Sequence, residues 1–211
     1  ALLAAEDTSV EVIPGIELRD DWMRKVVQLV GLDLDFENVW FQETLSRFQA
    51  SRDERNEKIL TLLQKEGIPI TGAAMEEAFP GSVWTRAHFA RFLLDHHFVG
   101  SVREAFDRYL GDHAKCYVPR EKVTPFQAVR LIKETGGIAV FAHPALCRFG
   151  ADRLESLTAE LKHAGLDAME TLYSTYRPSD EAAMTRLARR HGLKPSGGSD
   201  FHGSNKPDIS L

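Results

Sequence analysis

From residue 125 onward the apolar positions switch between two periods. Pro125–Glu134 carries them at helical spacing and stops at Gly136-Gly137, where glycine suits a left-handed cap. Ile138–Ala142 is a continuous apolar run of strand length. Arg153–Ala164 returns to helical spacing before Gly165, and Asp167–Leu172 reads as a second strand. Pro178–His191 opens with proline, ends before Gly192, and leads into a last strand starting at Lys194-Pro195-Ser196-Gly197. One strand and one helix recur about every 28 residues, the size of a βα unit. Such alternation predicts parallel pairing, in an open sheet or a barrel.

The first 36 residues are also strand-like. Val10–Ile13 is punctuated by Pro14-Gly15, Ile16-Glu17-Leu18 continues as extended chain, and Val26–Val30 is rich in β-branched residues. Between the two strand-bearing stretches the period is helical. A helix is predicted over about 40–64, with a charged, solvated face at Ser51–Lys58 and a stop at Gly67-Ile68-Pro69. Further helices are predicted over Thr71–Ala78, Arg86–His96 and Val102–Leu110. The domain reading is therefore a discontinuous α/β portion, 1–36 with 120–211, interrupted by a helical insertion over 37–119.

Composition narrows the function classes. The chain has 211 residues, 43% of them hydrophobic, enough for a core without staples. Its net charge of −5 excludes a broadly basic surface coating extended duplex, though not a basic pocket. Two cysteines, Cys116 and Cys147, make no disulfide scaffold and suit a reducing, cytoplasmic compartment. No apolar run reaches the roughly 18 residues of a membrane span. The opening Ala1–Asp7 has no initiator Met and no secretory pattern, so the sequence is expected to begin partway through a longer protein.

Three successive strands end in groups that can bind metal: Ala142-His143-Pro144, then Glu170, then Ser199-Asp200-Phe201-His202. Parallel βα folds collect functional groups at these carboxyl ends. Asp200 and His202 are two apart, which in extended chain points both to one side, and Gly197-Gly198 before them permits close backbone approach. Glu17, set between apolar neighbours, is the fourth candidate, since a buried carboxylate needs a partner and a cation would serve. Carboxylates and imidazoles without thiolate suit Mn, Zn or Fe rather than a structural zinc knot. A phosphate subsite is expected at Arg86 and His88, at a helix start, with Lys115 and Arg148 as further basic groups. His96, His97, His113, His163 and His191 read as surface or helix-end residues, and Trp22, Trp40 and Trp84 as core.

Ile13-Pro14-Gly15-Ile16-Glu17, Thr85–Phe92, Ala142-His143-Pro144 and Gly198–His202 occur in this order. Together they resemble the PHP (polymerase and histidinol phosphatase) phosphoesterases, nearest the branch of 3′,5′-nucleoside bisphosphate phosphatases and ribonuclease AM. The resemblance implies a distorted, TIM-like βα barrel, incomplete in this chain, with a helical insertion. It implies up to three divalent ions, most simply Mn2+, with Zn2+, Fe2+ or Mg2+ as options. Water activated by the ions would attack a phosphoester of a nucleotide or of a short RNA 5′ end. By position, Glu17 resembles the carboxylate bridging two ions, His143 and Asp200 a ligand of each, and His202 a ligand of the third. The Thr85–Ala90 run would line the substrate cleft.

Two departures shape the alternative. The family begins with a His-x-His strand, an Asp and a Thr-Asp-His turn, about 50 residues for which this chain has no counterpart, so it is expected to hold at most four of about nine ligands. The family also has His where this chain has Gln28, a neutral and weak donor. The alternative expectation is a degenerate relative that binds a nucleotide or a protein without hydrolysing it.

Overall fold

The computed structural model describes residues 5, 7–23, 25–119, 123–202 and 208–210. Apart from Ala5, the opening residues up to Glu6 lie outside them. The chain divides into two compact units, residues 1–42 with 122–211, and residues 43–121.

The first unit is built on a five-stranded mixed sheet in the order β1-β2-β3-β4-β5. These strands are β1 (Gly15–Trp22), β2 (Lys25–Leu32), β3 (Ile138–Ala142), β4 (Ala168–Tyr173) and β5 (Lys194–Gly198). The pairs β1–β2 and β2–β3 are antiparallel, whereas β3–β4 and β4–β5 are parallel. The parallel half is the part in which strands alternate with helices in sequence. Among the described residues β1 and β5 are the two edges, so what they form is an α/β sheet rather than a closed barrel. Val10–Ile13 has no regular structure: Val10 and Ile13 are exposed, and the ladder begins only at Gly15, beyond Pro14.

The helices take their places from their apolar faces. The longest, α1 (Val39–Lys65), belongs to the second unit from Glu43 onward. The second unit also holds α2 (Gly72–Ala78), α3 (Arg86–Asp95) and α4 (Val102–Ala105), the last continued by a π turn over Phe106–Leu110. These surround a core that includes Ile59, Leu63, Ile70, Met75, Phe89 and Leu93. The π turn occupies the second half of the segment that the sequence pattern predicts as one α-helix.

In the first unit, α5 (Pro125–Glu134) starts at a capping box of Thr124 and Gln127 and buries Val129, Leu131 and Ile132. It lies so close to β2 that a Cβ at Gly31 would stand 2.8 Å from Ile132. A short 3₁₀ turn (Pro144–Cys147) follows β3, then α6 (Ala151–Ala164) and α7 (Pro178–Arg190) connect the parallel strands. Phe141, on the central strand β3, is fully buried. Phe141→Ala is expected to cost about 3–5 kcal/mol, the usual range for truncating a core aromatic, read as a drop in the urea midpoint. Both cysteines are buried and unpaired, and desolvation pushes the Cys116 thiol up to about 11 and that of Cys147 up to about 12. Neither is a nucleophile at neutral pH.

Candidate metal and phosphoester site

Three strands of the first unit supply the candidate residues. β1 delivers Glu17, β3 runs directly into His143, and β5 leads through Ser199 into Asp200 and His202. His143 Nε2 lies 3.8 Å from Glu17 Oε1, with the imidazole 9% exposed and the carboxylate 34%. That is electrostatic contact, longer than a hydrogen bond. The imidazole is the largest influence holding the Glu17 carboxyl below its ordinary value, against the opposing effects of burial and the like charge of Asp200. Asp200 is therefore within electrostatic reach of Glu17.

His202 sits beside Asp200, by a different geometry from that expected. Asp200 has φ +56°, so this stretch is not extended chain and the two-residue alternation does not apply. Instead, His202 Nδ1 turns back to 2.8 Å from the Asp200 carbonyl and 3.1 Å from its Oδ1. Both partners only accept, so Nδ1 carries the proton in the neutral ring and Nε2 is the nitrogen left with a lone pair.

His143 also has a left-handed backbone, φ +30° and ψ +55°. Non-glycine residues in sparsely populated regions cost about 1–3 kcal/mol each and persist where surrounding contacts overdetermine them. Two of the candidates carry that strain.

Two further groups complete the surroundings. Gln28 pairs across the ladder with Arg19, which makes it the diagonal neighbour of Glu17 on the same face. Its Nε2 donates to Glu17 Oε1. Glu170, on β4, accepts from the His143 backbone N–H at 2.6 Å. Burial raises the Glu170 carboxyl above its ordinary value, an effect reinforced by the charges of Asp200 and Glu17 and opposed by the hydrogen bond from His143. The sequence puts Glu170 among the strand groups able to bind metal, although the family resemblance gives it no ligand role. The visible signal was a carboxylate in a strand otherwise built to be buried.

A close backbone approach does occur at the paired glycines, at Gly198. A Cβ there would fall 2.5 Å from Glu170 Oε1. Gly198→Ala must therefore displace the carboxylate that holds His143. The expected outcome is a chain that still folds but whose affinity for a divalent ion falls about tenfold, checked by isothermal titration.

As a home for a metal ion, the site has donors of fitting kind: carboxylates and imidazoles suit borderline and hard divalent ions. The facing pair Glu17 and His143 is also near the donor spacing around one such ion, about 3.0–3.4 Å for bonds of about 2.1 Å. Among the described residues, no group of three or more His, Cys, Asp or Glu is drawn together closely enough to hold an ion.

The expected phosphate-gripping residues have other engagements. In the second unit, Arg86 Nη1 donates to Leu110 O at 3.1 Å and to Asp112 Oδ1 at 3.0 Å, and its guanidinium lies 5.5 Å from the Tyr117 ring centroid. His88 Nδ1 accepts from the Thr85 N–H at 3.0 Å and so caps α3. Lys115 Nζ is 2.6 Å from Glu66 Oε2. In the first unit, Arg148 is exposed and caps the end of the 3₁₀ turn that follows His143. Trp84 packs edge-on against the buried Phe89.

A mixed sheet whose strands supply acidic and imidazole groups is an arrangement suited to metal-assisted phosphoesterases, and comparison with known proteins narrows this. No family model matches the chain. Over 194 residues it is 34% identical to the 5′-3′ exoribonuclease Rnm of Escherichia coli K12, covering 92% of this chain and 66% of that protein. It is 32% identical over 202 residues to the 5′-3′ exoribonuclease of Haemophilus influenzae, covering 96% and 73%. It is 31% identical over 203 residues to the 3′,5′-nucleoside bisphosphate phosphatase of Chromobacterium violaceum, covering 96% and 71%. A solved structure described as an amidohydrolase from Chromobacterium violaceum, with bound sulfate and no metal, matches with TM-score 0.70 and 30% identity over 92% of this chain and 69% of that one. A second, from Bifidobacterium adolescentis, shares the fold at TM-score 0.72 and 23% identity, over 98% and 73%. The chain belongs to the PHP-type phosphoesterase family. It spans about two thirds of the length of the first of these curated relatives.

Proposed function

We propose that this chain carries the site of a metal-dependent phosphoester hydrolase acting on nucleotides: on a 3′,5′-bisphosphonucleoside, on the 5′ end of a short RNA, or on both. The observation that supports the reading is that Glu17 and His143, from separate strands, face each other at 3.8 Å, with the charge of Asp200 acting on Glu17. Glu17, His143, Asp200 and His202 are the residues proposed to hold divalent metal, with Mn2+ the favoured ion and up to three ions in the family pattern. A bound ion would polarise the phosphoryl oxygens and make a water acidic enough to attack.

The chain's own residues have the remaining tasks. Glu17 stays ionised, which suits a cation and not a general acid. The His143 ring is buried, so water has little access to the side of the site that it forms. Arg148, five residues past His143 and in the same unit, is a candidate for the second phosphate. The five-stranded sheet is read as part of a PHP barrel, in a cytoplasmic protein. No helix among the described residues is long and apolar enough to cross a membrane.

One observation favours a second reading. The Gln28 amide occupies an oxygen of Glu17, as expected of a relative that binds a nucleotide without hydrolysing it. Phosphate release from a 3′,5′-bisphosphonucleoside, and shortening of a 5′-phosphorylated oligoribonucleotide, are the tests, each with Mn2+ and with a chelator. Mn2+-dependent turnover of either substrate supports hydrolysis. Nucleotide binding with no turnover at any Mn2+ concentration supports the second reading.

A further inference from the structure

β4 gives no side chain to the set proposed to hold the ion, yet it touches two of its members. Glu170 accepts the His143 backbone N–H at 2.6 Å, and Tyr173 Oη donates to Asp200 Oδ2, also at 2.6 Å. In a regular strand, residues three apart point to opposite faces. Here the β4–β5 register shifts between Glu170 and Leu172, and such an irregularity re-aims the side chains beyond it. Both side chains thereby reach the same site.

The segment after the bulge repeats the pattern. Ser174 Oγ donates to Ser199 O at 3.0 Å, and the Ala145 N–H donates to Tyr176 Oη at 3.0 Å. The residues gripped flank Asp200 and His143. The Tyr173 ring also lies 5.1 Å from that of His143, centroid to centroid. The two site residues that need holding are His143 and Asp200, with φ +30° and +56°.

We infer that Glu170 and Tyr173 are positioning residues, and that bulged β4 is a clamp fixing His143 and Asp200 in left-handed conformations that aim their side chains into the site. What the aimed groups bind rests on the proposed hydrolase reading; the clamping does not. Glu170 acts through the backbone of its neighbour, so a neutral acceptor of the same shape should replace it.

The test uses the whole chain with Glu170→Ala, Glu170→Gln and Tyr173→Phe, each checked for fold by circular dichroism. Amide exchange at His143 and Asp200 is read by NMR without metal, and Mn2+ affinity by isothermal titration. Glu170→Ala is expected to speed exchange at the His143 amide by about tenfold or more. It is also expected to weaken Mn2+ binding by about 10–100-fold. Glu170→Gln should stay within about threefold of the parent on both measures. Tyr173→Phe should speed exchange around Asp200.

Unchanged exchange in both Glu170→Ala and Tyr173→Phe would overturn the clamp. A Mn2+ loss in Glu170→Gln as large as in Glu170→Ala would also overturn it, in favour of direct ligation. If Glu170→Ala does not fold, the Gln and Phe substitutions decide on the same criteria. Faster exchange in the variants of a parent chain that itself binds no Mn2+ would sink the ion reading and leave the clamp standing.

Discussion

His143→Ala is expected to reduce phosphate release from a 3′,5′-bisphosphonucleoside by about a thousandfold, with the fold intact. The size follows from what is removed. A catalytic divalent ion supplies several kcal/mol of stabilisation to the transition state, and about 4 kcal/mol corresponds to about a thousandfold in rate. His143 is one of the two proposed donors that face each other at 3.8 Å, and its removal leaves Glu17 opposite an empty space. The residue is buried and its ring packs against Tyr173, so some stability goes with it. Asp200→Asn separates the two effects. It keeps the shape and can still accept from Tyr173, but it loses the charge, so turnover should fall comparably while the melting temperature moves little. Steady-state kinetics with calorimetric melting check both, and activity retained in either variant refutes the assigned roles.

Gln28→His is expected to tighten Mn2+ or Zn2+ binding by about tenfold or more, the scale on which single residues near a metal change affinity. Gln28 stands diagonal to Glu17 on the site-facing side of β2, next to the strand that ends in His143. As it is, its amide donates to the carboxylate and offers only a neutral carbonyl in return. An imidazole at that position adds a stronger donor and frees the Glu17 oxygen. Isothermal titration of the parent and the variant checks this. Equal affinities would mean that residue 28 does not face the ion.

Much of this was legible in the chain because local and tertiary forces agree there. The apolar run is buried on both faces over Ala139–Ala142, as a central strand between β2 and β4 must be, and Pro125–Glu134 has its capping box, its proline and its apolar stripe all consistent with one helix. Glu17, His143 and Asp200 could be nominated because carboxylates and imidazoles at strand ends are costly without a partner. Other features had no local signal. The bulge in β4 arises from pairing with β5, and without it Glu170 and Tyr173 would be assigned to opposite faces. Val10–Ile13 has strand composition but no partner in the ladder. Arg86 looked like a free phosphate grip because Asp112, its partner, is 26 residues away in sequence.

The most direct test is an anomalous difference map from crystals of this chain soaked in Mn2+. The peak is expected between Glu17 and His143, within bonding distance of both and bordered by Asp200. Saturating Mn2+ with no peak there, or a peak on other residues, would contradict the assignment.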